Sequence, residues 1–184
     1  MPDRPTILHR LRAETAADHA MLEARLDLLT PPLDLDHLRL VLRGFHGFHA
    51  AWEPMIEAVL GERFRPRRRL DLLTADLRLL GDRDGPPPRP DLAPLPDEAS
   101  AWGSLYVLEG STLGGAVIAK ALARSGLPVL GYFNPYGRRT MASWQAFRSE
   151  LMAAVTPGSE LAALAAAKAT FARLIQWLPA RQPD

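Results

Sequence analysis

Apolar residues recur every three or four positions along most of this 184-residue chain, and no segment alternates apolar and polar side chains as a half-buried strand would. Prolines and glycines interrupt this pattern at intervals and end one helix before the next begins. The sequence therefore predicts an all-α protein. The expected helices cover about residues 6–29, 34–60, 70–80, 98–124, 140–155 and 159–178.

Signals that start and stop helices lie between these segments. Thr6 is expected to cap the first helix, and Asp34 or Asp36 the second. Residues 81–96, GDRDGPPPRPDLAPLP, contain too much proline and glycine for a helix and are predicted to form a loop between two halves of one bundle. Neither half looks self-sufficient, so residues 1–184 are expected to form a single domain.

The composition excludes several kinds of chemistry. Without cysteine, the chain has no disulfide, thiolate nucleophile, iron–sulfur cluster or thiolate-ligated heme, and histidine is its strongest metal ligand. The formal net charge of +1 favours neither nucleic acid nor an acidic membrane surface. The N-terminus lacks the apolar region of a signal peptide, and no stretch approaches the roughly 18 apolar residues of a membrane helix. A cytoplasmic protein without nucleic-acid or membrane partners is expected.

One histidine lies on the apolar stripe of the predicted first helix. The stripe consists of Leu8, Leu11, Thr15, His19, Leu22 and Leu26. These residues are three or four positions apart, so the imidazole of His19 is expected to point inward. A lone histidine on such a face is more often a core residue than a ligand. Glu23 lies one turn later, however, where its carboxylate could accept the second imidazole N–H and strengthen the other nitrogen as an iron ligand.

Three glycines, Gly110, Gly114 and Gly115, lie inside the otherwise strongly helical segment LYVLEGSTLGGAVIAKALA. Each costs a helix about 1 kcal/mol relative to alanine, so something should compensate. Either another helix crosses very closely, or a flat ligand lies against bare backbone where a β-carbon would clash. Close helix packing is the commoner reason. A glycine-kinked helix opposite a histidine-bearing helix would nevertheless form a slot of porphyrin shape.

Four segments carry a resemblance to a known family: LRAETAADHAMLE, LYVLEGSTLGG, PYGRRTMASWQAFRSEL and FARLIQWL at the end of an alanine-rich helix. They resemble biliverdin-producing heme oxygenases, and most closely the bacterial type associated with phytochromes. The resemblance spans nearly the whole chain. It implies an all-α, single-domain, multi-helix bundle with heme held between the first helix and a glycine-kinked distal helix. It also implies an oxidoreductase that cleaves heme, with O2 and external electrons, to biliverdin, CO and ferrous iron.

The resemblance assigns roles to residues on both sides of the expected heme. His19 would be the proximal iron ligand, and Glu23 its hydrogen-bond partner. Gly110, Ser111 and Gly114 would form the catalytic face opposite. Mammalian-type members carry an aspartate where this chain has Ser111, so the resemblance does not define the route by which protons are delivered.

Further residues are implied to contact the heme propionates. Arg12 and Arg148 match positions that hold the propionates in family members, which suits the bidentate pairing of arginine with carboxylate. Tyr106 lies close to where relatives place a propionate-contacting tyrosine, one residue out of register.

The resemblance also implies partners. Heme serves as both substrate and cofactor, and dioxygen is the second substrate. The electrons must come from a ferredoxin, a flavodoxin or a reductase, because the chain has no flavin or nicotinamide fingerprint. The biliverdin, with the α isomer favoured, could pass to a bacteriophytochrome. The arginine run over residues 63–69 is predicted to be a solvated edge of the bundle, with docking of an acidic electron donor as the alternative.

Two other interpretations stay open at this stage. In one, the chain is a catalytically inactive heme-binding sensor or carrier. In the other, it is a helical scaffold whose glycines serve only close packing. His46 and His49, one helical turn apart, are expected to have structural or surface roles rather than to bind metal, and His9 and His37 are expected to be exposed and without a role.

Overall fold

A computed structural model describes residues 5–31 and 34–181, and these ranges form helices and loops without any strand. The helices are α1 (Ile7–Leu26), α2 (Leu35–Leu60), α3 (Leu70–Leu79), α4 (Glu98–Arg124), α5 (Thr140–Ala154) and α6 (Glu160–Trp177). Short 3-10 turns lie at Gly61–Arg63, Arg65–Arg67 and Gly137–Arg139. The predicted all-α class is confirmed.

Side-chain caps explain where the helices begin. Thr6 and Asp34 accept backbone N–H groups of the first turns of α1 and α2, as predicted. Asp97, which the sequence analysis did not single out, caps α4 in the same way. The first helix ends three residues earlier than expected, because Asp27 adopts a left-handed conformation (φ 40°) and its amide bonds back to the carbonyl of Glu23.

The central helix of the bundle is α4. It packs along α6 and also contacts α2 and α5, while α1 packs mainly on α6 and α3 on α2. Apolar side chains from all six helices form one buried cluster, whose removal from water is the main stabilising term. The largest fully buried side chains are Trp52, Trp102, Phe48, Phe64 and Phe147. Because α1 packs on α6 rather than on α4, space remains between α1 and the middle of α4.

Two glycines bring backbone segments into direct contact. A β-carbon at Gly103 would lie 2.0 Å from the carbonyl oxygen of Ala163, so α4 and α6 approach as closely as their backbones allow. A β-carbon at Gly47 would lie 1.9 Å from the carbonyl oxygen of Pro88. The proline-rich loop is therefore packed against α2, although it forms no helix.

By length and composition alone, α4 is apolar enough to cross a membrane, so the expectation that no stretch approaches this limit was too strict. A central helix of a bundle has the same properties, and α4 here packs against α2, α5 and α6.

The arginine run over residues 63–69 is not the solvated edge of the bundle that the sequence predicts. Arg67 and Arg69 are buried, because carboxylates brought in by the tertiary fold neutralise them. The ion pairs of the run are Arg63–Glu98, Arg65–Glu62, Arg67–Glu150, Arg68–Glu57 and Arg69–Glu109. Since every arginine of the run has a partner within the chain, its charge is largely satisfied internally.

The other histidines have mostly structural contacts. The prediction that His37 is exposed was wrong: it is buried, and its Nε2 lies 2.7 Å from the carbonyl oxygen of Leu26 at the end of α1. His46 contacts Thr74 at 3.1 Å. His49 is fully buried between Glu53 and Tyr132, as described below, and His9 is exposed as expected.

Candidate active site

Two cavities lie between α1 and α4. The smaller has a volume of about 340 Å³ and the larger about 620 Å³, both within the roughly 300–1,000 Å³ typical of sites for small molecules and cofactors. His19, Val107, Gly114 and Phe171 line both cavities. The two spaces therefore adjoin at His19, and together they are called the slot below.

The imidazole of His19 projects into this slot. Its side chain is 49% exposed, whereas Leu11, Thr15 and Leu26 of the same stripe are buried. His19 therefore lies on the predicted face of α1, but its imidazole borders the slot instead of packing into the core. Its Nδ1 lies 3.4 Å from Oε2 of Glu23, and its edge packs on the Phe171 ring. Its Nε2 has no hydrogen-bond partner in the described part of the chain.

The glycines of α4 divide into two kinds. A β-carbon at Gly115 would lie 2.5 Å from the carbonyl oxygen of Phe133, so this glycine serves close packing. A β-carbon at Gly110 would meet nothing within 4 Å, and one at Gly114 would meet only Oε1 of Glu23, at 3.9 Å. No protein contact requires a glycine at Gly110 or Gly114. Their bare backbone faces the slot opposite the helix that carries His19.

Two cations and a phenol border the larger cavity. Arg12 and Arg148 are exposed there, and neither has a carboxylate partner within residues 5–31 and 34–181. Tyr106 lies beside them, with its ring centroid 6.1 Å from that of Trp144. Burial raises the pKa of Tyr106, while the charge of Arg12 opposes the shift. These residues form a cationic rim suited to the carboxylates of a ligand.

A buried ion pair supports α4 just before its first open glycine. Arg69 donates to Oε1 of Glu109 at 2.5 Å and to the carbonyl oxygen of Leu108 at 2.8 Å. The same carbonyl accepts the hydroxyl of Ser111 at 2.7 Å, and the hydroxyl of Tyr136 donates to Glu109 at 2.8 Å. Burial, reinforced by the charge of Glu109, raises the pKa of Tyr136 to about 12. Arg69 and Ser111 both line the smaller cavity.

A second polar chain reaches the smaller cavity through Tyr132. Its hydroxyl lies 3.3 Å from Nε2 of His49, and Nδ1 of His49 lies 2.9 Å from Oε1 of Glu53. Burial lowers the pKa of His49, against the opposing influence of the Glu53 carboxylate. Glu53 also accepts the backbone N–H of Arg69 at 2.8 Å, which ties this chain to the Arg69–Glu109 pair.

The structure therefore brings the predicted residues together around one slot and adds others. Arg12, His19, Glu23, Tyr106, Gly110, Ser111, Gly114 and Arg148 all line one or both cavities. Sequence reasoning missed Arg69 and Glu109. A single acidic residue in the apolar run LYVLEG was the available signal for Glu109, whereas nothing separated Arg69 from the neighbouring arginines.

No family model matches the chain. A heme oxygenase from Xanthomonas campestris pv. campestris (strain 8004) is 35% identical over 150 residues, which cover 76% of this chain and 87% of that protein. The chain belongs to the heme oxygenase family. It is thus an enzyme of heme catabolism: an oxidoreductase that uses heme, oxygen and a reductant and forms biliverdin.

Solved structures agree with this assignment. The NO- and CO-bound heme oxygenase from Neisseria meningitidis has a TM-score of 0.75 and 26% identity over 93% of this chain and 89% of that one. Heme oxygenase from Leptospira interrogans has a TM-score of 0.75 over 94% of this chain and 98% of that one, and at 20% identity it supports the fold alone. The helical heme oxygenase fold is thereby established for this enzyme.

Proposed function

We propose that this heme oxygenase holds its substrate in the slot, where His19 would bind the heme iron and the backbone at Gly110 and Gly114 would lie against the opposite face of the heme. The observation that carries the proposal is the open backbone at these two glycines, across the slot from an imidazole with a free nitrogen. A flat macrocycle needs bare backbone on one side and a ligand on the other.

Glu23 defines how His19 would bind iron. Its carboxylate oxygen Oε2 lies 3.4 Å from Nδ1, where it would accept the imidazole N–H, fix the tautomer and leave Nε2 for the metal. A neutral histidine suits an oxygenase in which the ring, rather than an added substrate, is oxidised.

The rim would hold the propionates. Arg12 and Arg148, which have no carboxylate partner among the described residues, border the larger cavity, where each can bind a carboxylate through two N–H groups. Tyr106 adds a hydroxyl beside them, which is protonated at neutral pH and can donate a hydrogen bond.

Gly110, Ser111 and Gly114 would form the catalytic face. The missing β-carbons leave room for dioxygen between α4 and the macrocycle. Ser111 lines the smaller cavity and its hydroxyl donates to Leu108, so its oxygen would be available as an acceptor that orients a water molecule. The buried Arg69–Glu109 pair holds this turn of α4 in place.

The surroundings of the reaction complete the proposal. A single domain over residues 1–184 acts in the cytoplasm, without nucleic-acid or membrane partners. It receives electrons from a ferredoxin, a flavodoxin or a reductase, and it forms the α isomer of biliverdin for a bacteriophytochrome. The arginine run gives this donor little free charge, because its members pair within the chain.

Hemin titration followed by turnover tests the site. The wild-type protein should develop a Soret band and, once reductant is supplied, the spectrum of biliverdin. Replacing His19→Ala should remove the histidine-ligated spectrum and turnover, and added imidazole should restore part of both. His46→Ala is the matched control, because His46 lines neither cavity and should leave the spectrum unchanged.

Each alternative has its own outcome in this experiment. An unaltered spectrum in the His19→Ala variant would move the iron ligand elsewhere. Bound heme that persists in the presence of reductant would identify a carrier or sensor, and the absence of a Soret band would leave a scaffold.

A further inference from the structure

One side of the slot is formed by a loop rather than by a helix. Residues 131–133, called the wall segment here, precede α5, and Tyr132 and Phe133 line the smaller cavity only. Arg12 and Arg148 line the larger cavity only. The wall segment and the cationic rim therefore border different parts of the slot, with His19 between them.

A buried carboxylate on α3 clamps the wall segment. Asp76 is 4% exposed, and its two oxygens accept the backbone N–H groups of Gly131 and Tyr132, each at 2.8 Å. Two bonds from one carboxylate to consecutive amides leave the backbone little freedom to rotate. The hydroxyl of Tyr132 is held in addition by His49.

The opposite side of the wall segment rests on α4. The carbonyl oxygen of Phe133 occupies the space that a β-carbon at Gly115 would need. Gly131 lies against α3, where its own β-carbon would be 3.3 Å from Leu72. The wall segment is thus held between two helices by contacts within the protein.

Asp76 is a costly way to hold a loop. Burial raises its pKa, and no cation pairs with it within residues 5–31 and 34–181. A buried carboxylate without a cation destabilises a protein unless hydrogen bonds compensate, and here each of its two oxygens accepts one hydrogen bond from the wall segment. This arrangement indicates that the function of the protein requires the wall segment to keep a fixed position.

The reaction supplies such a need. A porphyrin is nearly square, so propionates at one edge leave some freedom of rotation within its own plane. Arg12 and Arg148 are long, exposed side chains that bind carboxylates without fixing that angle. A rigid apolar wall at another edge removes the remaining freedom. The meso carbon that then faces the oxygen-binding space is the carbon that is cleaved.

We propose that Asp76 is a positioning residue that, through the wall segment, sets the in-plane seat of heme and thereby the biliverdin isomer formed. This inference rests on the proposed slot. Asp76 itself does not line either cavity and acts only through Tyr132 and Phe133.

Two variants test the inference by the isomers formed in turnover, separated by chromatography. Asp76→Asn replaces one acceptor oxygen by an amide that cannot accept the facing N–H, and Phe133→Leu changes the shape of the wall while keeping it apolar. Each should raise the proportion of minor isomers about tenfold, equivalent to about 1.4 kcal/mol in the preference between seats. The heme methyl resonances should show a second seat in the same proportion.

A second readout needs no heme. In the ligand-free protein, the amides of Gly131 and Tyr132 should exchange with solvent about tenfold faster in Asp76→Asn, because their acceptor is weakened. Ser104→Ala is the matched control: it removes a buried hydroxyl that links Trp52 and Thr170, and it lines neither cavity. It should lower Tm without altering the isomers.

Several results would overturn the inference. One is an unchanged isomer ratio in both wall variants with heme bound. Another is a Ser104→Ala variant that alters the ratio as much as they do. If Asp76→Asn does not fold, Phe133→Leu decides the question alone. A wild-type heme spectrum in His19→Ala would instead show that the proposed slot is wrong, a failure distinct from that of the wall segment.

Discussion

The slot and the interface between α2, α3 and α4 use the same residue types to opposite effect. In the interface, His49 has hydrogen bonds on both nitrogens and Arg69 is neutralised by Glu109. In the slot, His19 keeps Nε2 free and Arg148 has no carboxylate partner in the part of the chain that the structure describes.

The glycines of α4 show the same contrast. Gly103 and Gly115 are required by backbone atoms of neighbouring segments, whereas Gly110 and Gly114 face open space. Folding satisfies nearly all of a protein's buried polar groups and fills its close contacts. Polar groups that border one cavity without a protein partner are therefore the candidates for contacts with a ligand.

Substituting one glycine of each kind should have the largest effects. Gly103→Ala places a β-carbon 2.0 Å from the carbonyl oxygen of Ala163, so α4 and α6 must separate and the heme-free protein should lose more than about 3 kcal/mol or fail to fold. Gly110→Ala meets no atom and should gain about 1 kcal/mol from its helix propensity. Urea denaturation of both heme-free variants measures these changes.

Hemin affinity completes the test of the glycines. The stabilised Gly110→Ala variant should bind hemin more weakly than the wild type, since its methyl group enters the slot. If it binds hemin with unchanged affinity and turns it over normally, the macrocycle does not lie against this backbone.

A pair of arginine substitutions should give the next largest effect. Arg69→Met leaves the buried carboxylate of Glu109 without its cation and should lower the free energy of unfolding by about 3–5 kcal/mol. Arg148→Met, at an exposed position, should change stability by less than about 0.5 kcal/mol. It should instead weaken hemin binding severalfold, in a salt-dependent way, because a propionate loses its partner.

Equilibrium unfolding in urea measures the effect of each substitution on folding, and hemin titration at two salt concentrations measures its effect on binding. An equal loss of stability in both variants would mean that the fold requires the charge of Arg148 as much as that of Arg69.

Local signals in the sequence anticipated much of this structure. Both ends of α4 lie where the sequence predicts them, and His19 and the open glycines face one another because each is determined by periodicity within its own helix. The burial of Arg67, Arg69 and His37 depends on segments distant in sequence, and these residues were wrongly predicted to be solvated or exposed. Likewise, only the position of Phe133 distinguishes Gly115 from Gly110.

The weakest effect that we expect concerns the ionisation of the three tyrosines, of which Tyr106 borders the larger cavity, whereas the hydroxyls of Tyr132 and Tyr136 are hydrogen-bonded to His49 and Glu109. Burial raises the pKa of all three, and nearby carboxylates add to the shift at Tyr136, to about 12, and at Tyr132, which shifts further. At Tyr106 burial is opposed by the charge of Arg12, and no carboxylate adds to the shift. Tyr106 should therefore ionise first. Absorbance of the heme-free protein at alkaline pH should follow this order, while the unfolded chain should titrate near pH 10.

Two variants assign the steps of this titration. Tyr106→Phe should remove the earliest step, and Tyr136→Phe a step near pH 12. Because the folded pKa of Tyr136 is higher than its unfolded value, its contribution to stability is complete below about pH 10 and declines as the pH rises towards 12. Stability of the wild type should therefore fall more steeply over this interval than that of Tyr136→Phe. If all tyrosines of the native protein ionise near pH 10, Glu109 and Tyr136 are open to water. The interface would then not differ from the slot in the burial of its polar groups.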